Sequence, residues 1–145
     1  MRSKKGKKSY WMSIIRKHSG FTLIELMVAM ILLGILILIA ISLYMNYLDK
    51  AKITVAEHTL AQARDNLNLY NMDNGAYPVS INFTDCVDEN GRTVFTQAFC
   101  NQLREDLSSV ESYSYDIESK KFIFKAKAKD KQKTLITVTP DKVTK

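Results

Sequence analysis

From Leu26 to Met45 the chain reads LMVAMILLGILILIAISLYM, twenty residues without a charge. At a helical rise of about 1.5 Å per residue, such a run crosses a hydrocarbon layer of about 30 Å. Twelve of the twenty are Leu, Ile or Val, each favouring insertion by about 0.3–0.6 kcal/mol near a helix centre, against about 2.5–3.5 kcal/mol for one central charge. The sum favours insertion even with Glu25 at the edge, so the segment reads as a membrane helix. A buried core helix is the competing reading, but a chain of 145 residues lacks a second domain large enough to surround it.

The charges on either side of this run are lopsided. Residues 1–20 hold seven of the 21 Lys and Arg and no acid, leaving 14 basic against 15 acidic residues in 21–145. The net charge of +6 therefore belongs to the N-terminal tract and is weak support for a nucleic-acid partner. The positive-inside rule puts that tract in the cytoplasm, since only Lys50 and Lys52 closely follow the span. Residues beyond about 48 then lie outside the cytoplasm, where disulfides persist. Cys86 and Cys100 are the only cysteines, so nothing competes with their pairing, and a Cys86–Cys100 bridge is expected.

An ordinary secretory signal ends in small residues after its apolar run, whereas here the small pair Ser19-Gly20 precedes it. The junction Lys17-His18-Ser19-Gly20-Phe21-Thr22-Leu23-Ile24-Glu25 closely resembles the class III leader junction of type IV pilins and type II secretion pseudopilins. That resemblance runs through the apolar helix. It implies cleavage after Gly20 by a membrane prepilin peptidase and N-methylation of the new terminus at Phe21 by the same enzyme. It also implies that Glu25 pairs with the methylated terminal amine of a neighbouring subunit during assembly; snorkelling to the headgroups is the alternative. A start at Met12 would leave a short leader, MSIIRKHSG. Where many relatives carry a helix-kinking proline this chain has Ser42, and Gly34 is a local weak point in the helix.

Beyond the span, Ile53, Ala56, Leu60, Ala63, Leu67 and Tyr70 recur at spacings of three and four with no Gly or Pro up to Asp73, which predicts that the helix continues as an amphipathic element. Asn74-Gly75 supplies a stop and Pro78 blocks continuation. Asp73-Asn74-Gly75-Ala76-Tyr77-Pro78 is similar to a turn found after this helix in the same family, with Tyr77 as a packing anchor. Thr96 to Leu107 suggests a short helix. The acids Asp85, Asp88 and Glu89 fit a turn better than a calcium loop, because Val87 falls where a ligand would be needed. Asn82-Phe83-Thr84 forms a glycosylation sequon.

Three strands are expected at Ser112–Ile117, Lys121–Ala128 and Thr134–Thr139. On the middle one Phe122, Phe124, Ala126 and Ala128 share a face. The organisation expected is a leader (1–20), a transmembrane or filament-core half of the helix (21–48), its amphipathic half with the turn (49–78), a connecting region with both cysteines (79–111) and an antiparallel sheet (112–145). The fold class is α+β and pilin-like, a long N-terminal helix packed on a sheet of about three strands.

No catalytic constellation occurs: His18 and His58 are isolated, two cysteines are too few for a zinc site, and no phosphate loop is present. The chain reads as a non-enzyme with no cofactor and no metal site. Lys121, Lys125, Lys127, Lys129, Lys131 and Lys133 suit DNA, but a solvated face that discourages edge pairing is the preferred reading. Spaced aromatics along the helix, such as Tyr44, Tyr47 and Tyr70, resemble those proposed for electron-conducting pilins and equally suit packing.

The first reading is a structural subunit of a type IV pilus or pilus-like filament, favoured because no calcium loop typical of major pseudopilins is visible after Val138. A type II secretion pseudopilin is the alternative, and a non-polymerising anchor with a ligand- or DNA-binding head the third. The resemblance implies identical or related subunits, the prepilin peptidase, an inner-membrane assembly platform and the membrane itself as partners. The precursor is expected in the inner membrane with its head in the periplasm, and the product in a periplasmic or extracellular filament.

Overall fold

The computed structural model describes residues 21–145; the expected leader, Gly20 included, lies outside the described residues. Helix α1 runs Leu23–Asn74 and is followed by β1 (Ile81–Asn82), β2 (Val87–Asp88), α2 (Gln97–Asp106), β3 (Leu107–Asp116), β4 (Lys121–Ala128), β5 (Leu135–Val138) and β6 (Val143–Thr144). One compact unit ends at Ala40 and the other is Ile41–Lys145. In the first, the helix exposes its Leu, Ile, Val and Met side chains along its whole length.

The second unit, the head, is built on the amphipathic half of α1. Ala56, Thr59, Leu60, Ala63, Leu67 and Tyr70 are buried, with Ile53 packed at the edge. The spacing in the sequence thus identifies the stripe but omits Thr59. That residue is tolerated inside because its hydroxyl donates to Asp106 Oδ2 at 2.6 Å, which satisfies the buried polar group. The helix stops where expected. The Gly75 amide donates to the Asn71 carbonyl at 2.8 Å, and Gly75 takes φ +79°, a left-handed conformation open to glycine without penalty.

Against this stripe lies an antiparallel sheet in the order β3-β4-β5-β6. Phe122, Phe124, Ala126 and Ala128 of β4 are fully buried, as are Ile136 and Val138 of β5. Each large apolar side chain so buried contributes about 1.5–3 kcal/mol, and β4 alternates its buried residues with the outward Lys121, Ile123, Lys125 and Lys127 in the two-residue period of a half-buried strand. The sheet has four strands where the sequence suggests about three. The fourth, β6, is two residues long and forms only by pairing Thr137 with Thr144 and Val138 with Val143. Strand β3 begins at Leu107, five residues ahead of the expected Ser112, and shifts register between Leu107 and Ser109 and between Val110 and Ser112. Bulges of this kind break the alternation that sequence reading depends on.

The connecting region has more structure than turns and a helix. A small hairpin pairs Ile81 with Asp88 and Asn82 with Val87. Helix α2 is capped by Thr96, whose Oγ1 accepts from the Phe99 amide at 3.4 Å, and turns Phe99, Cys100 and Leu103 into the core. Cys86 and Cys100 are joined by a disulfide, with Cα atoms 6.1 Å apart. Tyr77 packs edge-on against Phe122 with ring centroids 4.9 Å apart, and its hydroxyl donates to Asn68 Oδ1 at 2.8 Å.

Two buried carboxylates organise turns. Asp88, 5% exposed, accepts from the Tyr70 hydroxyl at 2.5 Å and from the amides of Asn90 at 2.9 Å and Arg92 at 2.6 Å. Asp130, also 5% exposed, accepts from the Thr134 amide and hydroxyl, both at 2.8 Å. Burial raises the pKa of each, but the hydrogen bonds outweigh it: Tyr70 and the Arg92 and Asn90 amides hold Asp88 below the usual carboxylate range, and Thr134 does the same for Asp130.

Replacing both Cys86 and Cys100 with Ser should lower the head's unfolding free energy by about 3 kcal/mol, the chain-entropy value for a loop of about 15 residues. Denaturant unfolding of the detergent-solubilised chain measures it, and an unchanged midpoint would show that the bridge contributes nothing. The depressed carboxylates set the pH dependence. A group whose pKa is lower in the folded state stabilises above its unfolded pKa, about 3.9 for Asp, and that stability is lost as pH falls through the folded value. Head stability should therefore be level above about pH 5 and decline below about pH 4. The decline should be shallower in Asp130→Asn, and an identical profile in that variant would exclude Asp130 as a contributor.

Candidate functional site

At the start of α1, Thr22 and Glu25 close a reciprocal pair. The Thr22 amide and hydroxyl each donate to Glu25 Oε2 at 2.9 Å, and the Glu25 amide donates to Thr22 Oγ1 at 3.3 Å. This is a capping box, in which each side chain satisfies a backbone amide the helix cannot reach. Its consequence is positional: the carboxylate is folded back towards the Phe21-Thr22 peptide instead of projecting sideways from the helix. Sequence reasoning singles out Glu25 and misses Thr22, although Thr-x-x-Glu ahead of an apolar run is itself a sequence signal.

Phe21 is 81% exposed. Together with Ile24, Glu25, Val28, Ala29 and Leu32 it lines a shallow groove along one side of the helix. The spacing of three and four makes this one face, apolar except for a single carboxylate. A cation brought against Glu25 would meet a negative charge flanked by hydrocarbon. Burial of that carboxylate alone would cost several kcal/mol, and a matched cation offsets most of the cost.

The other residues singled out by sequence belong to the head. Cys86 and Cys100 tie the β1–β2 hairpin to α2, a structural role. His58 is exposed on α1. The lysine face is partly neutralised: Lys121 lies 3.3 Å from Asp141 and Lys127 3.1 Å from Glu111. Among the described residues no group of three or more His, Cys, Asp and Glu is arranged to hold a metal ion. Asp88, weighed above as part of an acidic turn, points inward to Tyr70.

A family model described as the prokaryotic N-terminal methylation motif matches residues 15–41, which includes the Gly20-Phe21 junction, Thr22 and Glu25. The chain is 44% identical over 63 residues to the type II secretion system core protein G of Pseudomonas aeruginosa, covering 43% of this chain and 44% of that one. The proteins of the same name from Aeromonas hydrophila and Vibrio cholerae are 35% identical over 65 residues and 33% over 69, covering 45% and 48% of this chain and 46% and 47% of theirs. The chain thus spans less than half the length of these curated relatives. No solved structure matches it. These relatives carry a secretion name, so the comparisons favour the alternative, a secretion pseudopilin, over the pilus subunit preferred on sequence. The methylation motif, the relatives and a long apolar helix followed by an antiparallel sheet make the chain similar to type IV pilins and type II secretion pseudopilins.

Proposed function

We infer that the protein is a pseudopilin, a structural subunit of a type II secretion filament. The observation that carries this reading is the methylation motif on residues 15–41 joined to similarity with three core G proteins of secretion systems. The precursor sits in the inner membrane through residues 26–45, with residues 1–20 in the cytoplasm and the head in the periplasm. A prepilin peptidase removes residues 1–20 and methylates Phe21. The processed chain, residues 21–145, is then drawn from the bilayer by an inner-membrane platform and joins identical or related subunits through its apolar helix.

Two features of the helix N-terminus support assembly over simple anchoring. The bilayer already covers the apolar side chains, so leaving it requires an equally apolar replacement, and a packed set of neighbouring helices supplies one. Glu25 gives that packing a register. Its carboxylate, held by Thr22 at the head of the exposed groove, meets the terminal amine of the next subunit's Phe21, and two charges that are costly alone are buried as a pair.

Deleting the gene in its host should stop release of secreted substrates and leave them in the periplasm, with twitching motility unchanged. Lost motility with normal secretion would return the protein to the pilus reading. Mass spectrometry of filaments should find N-methyl-Phe21 as the terminus; an intact leader in polymerised material would contradict the processing scheme. Glu25→Ala should insert and be cleaved normally but yield few filaments, because the neighbour's amine loses its counter-charge. A normal yield would remove the pairing from the mechanism.

A further inference from the structure

The end of the head where α1 enters it carries a basic surface that the assembly reading leaves unused. Within Ile41–Lys145 the helix still presents the last apolar side chains, Ile41, Leu43 and Met45, all exposed, together with Tyr44 and Tyr47 at 61% and 70% exposure. Leu48, Ala51, Lys52 and Val55 of α1 then line one cleft with Glu105, Asp106 and Lys129. The residue after β4 is thus brought beside the helix just beyond the apolar run. Lys52 stands seven residues past Met45, an axial rise of about 10 Å, which is comparable to a Debye length of about 8–10 Å.

The β4–β5 turn adds to this surface. It reads Lys129-Asp130-Lys131-Gln132-Lys133, and all three lysines are exposed. The turn is tight: the Lys133 amide donates to the Asp130 carbonyl at 3.1 Å and the Ala128 amide to the Thr134 carbonyl at 3.0 Å. The lysines therefore emerge from a fixed base. Of the carboxylates at the same end, Asp130 is buried and Asp49 and Asp106 are half-buried. Asp130 is taken up by Thr134, Asp106 by Thr59, and Asp49 lies 3.6 Å from Lys52. Glu105 is exposed among them, its carbonyl accepting from the Lys129 ammonium. Glu111, which lies 3.1 Å from Lys127, is exposed as well, so formal charges nearly balance here, with the three turn lysines exposed and three of the five carboxylates buried or half-buried.

We propose that Lys52, Lys129, Lys131 and Lys133 form a docking surface for anionic phospholipid headgroups, which holds the head against the bilayer while the precursor is still inserted. This rests on the reading that residues 26–45 span the membrane. Lysines near an anionic surface each contribute attraction that falls off within a Debye length, and tyrosines such as Tyr44 and Tyr47 settle at headgroup level. A second copy is the competing occupant, through Asp116 and Glu118 of the β3–β4 tip. Lipid is favoured because the surface adjoins the apolar run of its own chain, whether or not another copy is present. Asp116 of that tip is also already engaged by Ser119 and the Glu118 amide.

The test uses the full chain, one copy per nanodisc, in phosphatidylcholine alone and in phosphatidylcholine mixed with phosphatidylglycerol, and reads amide hydrogen exchange of residues 129–134. Exchange should be slower in the anionic discs, and the difference should vanish at about 1 M salt, where the Debye length is about 3 Å. The triple variant Lys129→Gln, Lys131→Gln, Lys133→Gln should lower the docked-to-free ratio on the order of 100-fold, with β4 and α1 protection unchanged as evidence that the head is folded. Equal exchange in both lipids would overturn the proposal. So would protection that ignores lipid charge and appears only with two copies per disc, which would assign the surface to a neighbouring subunit. Protein that elutes free of the discs would refute the spanning reading first, and the proposal with it.

Discussion

The apolar surface of α1 has to be covered, and most of the molecule's chemistry follows from that constraint. Twelve Leu, Ile and Val side chains stand between Leu26 and Met45, and those of α1's first unit are all exposed. Full burial of one such side chain is worth about 1.5–3 kcal/mol, so the run together exceeds the about 5–15 kcal/mol that holds a whole domain folded. Water is therefore not a stable environment for this helix. A bilayer would cover it without any specific contact, and a filament would cover it with other helices, so on the proposed function passage between them exchanges one apolar environment for another. What the exchange lacks is direction and register, since hydrocarbon against hydrocarbon is nearly indifferent to sliding. An ionisable group on the groove face, Glu25 held by Thr22, is the feature that can discriminate one register from the next.

The head meets the opposite requirement, to stay folded in water while joined to a greasy helix. Its solution is a stripe that begins where the apolar surround ends. From Ile53 onward only one side of α1 is apolar, and Phe122, Phe124, Ile136 and Val138 cover it. A core of this size is modest, which explains the devices around it: the Cys86–Cys100 bridge, the Thr96 cap on α2, and the two buried aspartates that close turns. Each replaces hydrophobic area that a small sheet cannot supply.

What could be read from sequence was what depends on neighbours along the chain. The span, the stripe from Ile53 to Tyr70, the stop at Gly75, the α2 helix and the alternation in β4 all follow from local periodicity or a single turn residue. The hidden parts depend on partners distant in sequence. Thr59 looks like an exposed helix threonine until Asp106 arrives from 47 residues away. Asp88 looks like a surface acid until Tyr70 is folded over it. Strand β6 has no pattern of its own and exists only as an addition to β5. The choice between pilus and secretion filament was hidden for another reason: on the proposed reading the Gly20-Phe21 junction answers to processing and packing, which both filaments would share, so it carries no information about which machine it would serve.

Ser42 stands where the resemblance leads one to expect a helix-kinking proline, and its effect can be argued from the helix itself. A proline there would remove one amide donor and clash with the carbonyl four residues earlier; serine does neither, and α1 is continuous from Leu23 to Asn74. In a bilayer continuity is an advantage, because every amide and carbonyl in hydrocarbon needs an internal partner. Gly34 keeps that partner while lowering the cost of local opening by about 1 kcal/mol relative to alanine. Any loosening that assembly demands would therefore start at Gly34, nearer Glu25, instead of at Ser42, nearer the head. The head end of the helix would stay intact, and with it the spacing between the apolar run and the lysines beyond Tyr47.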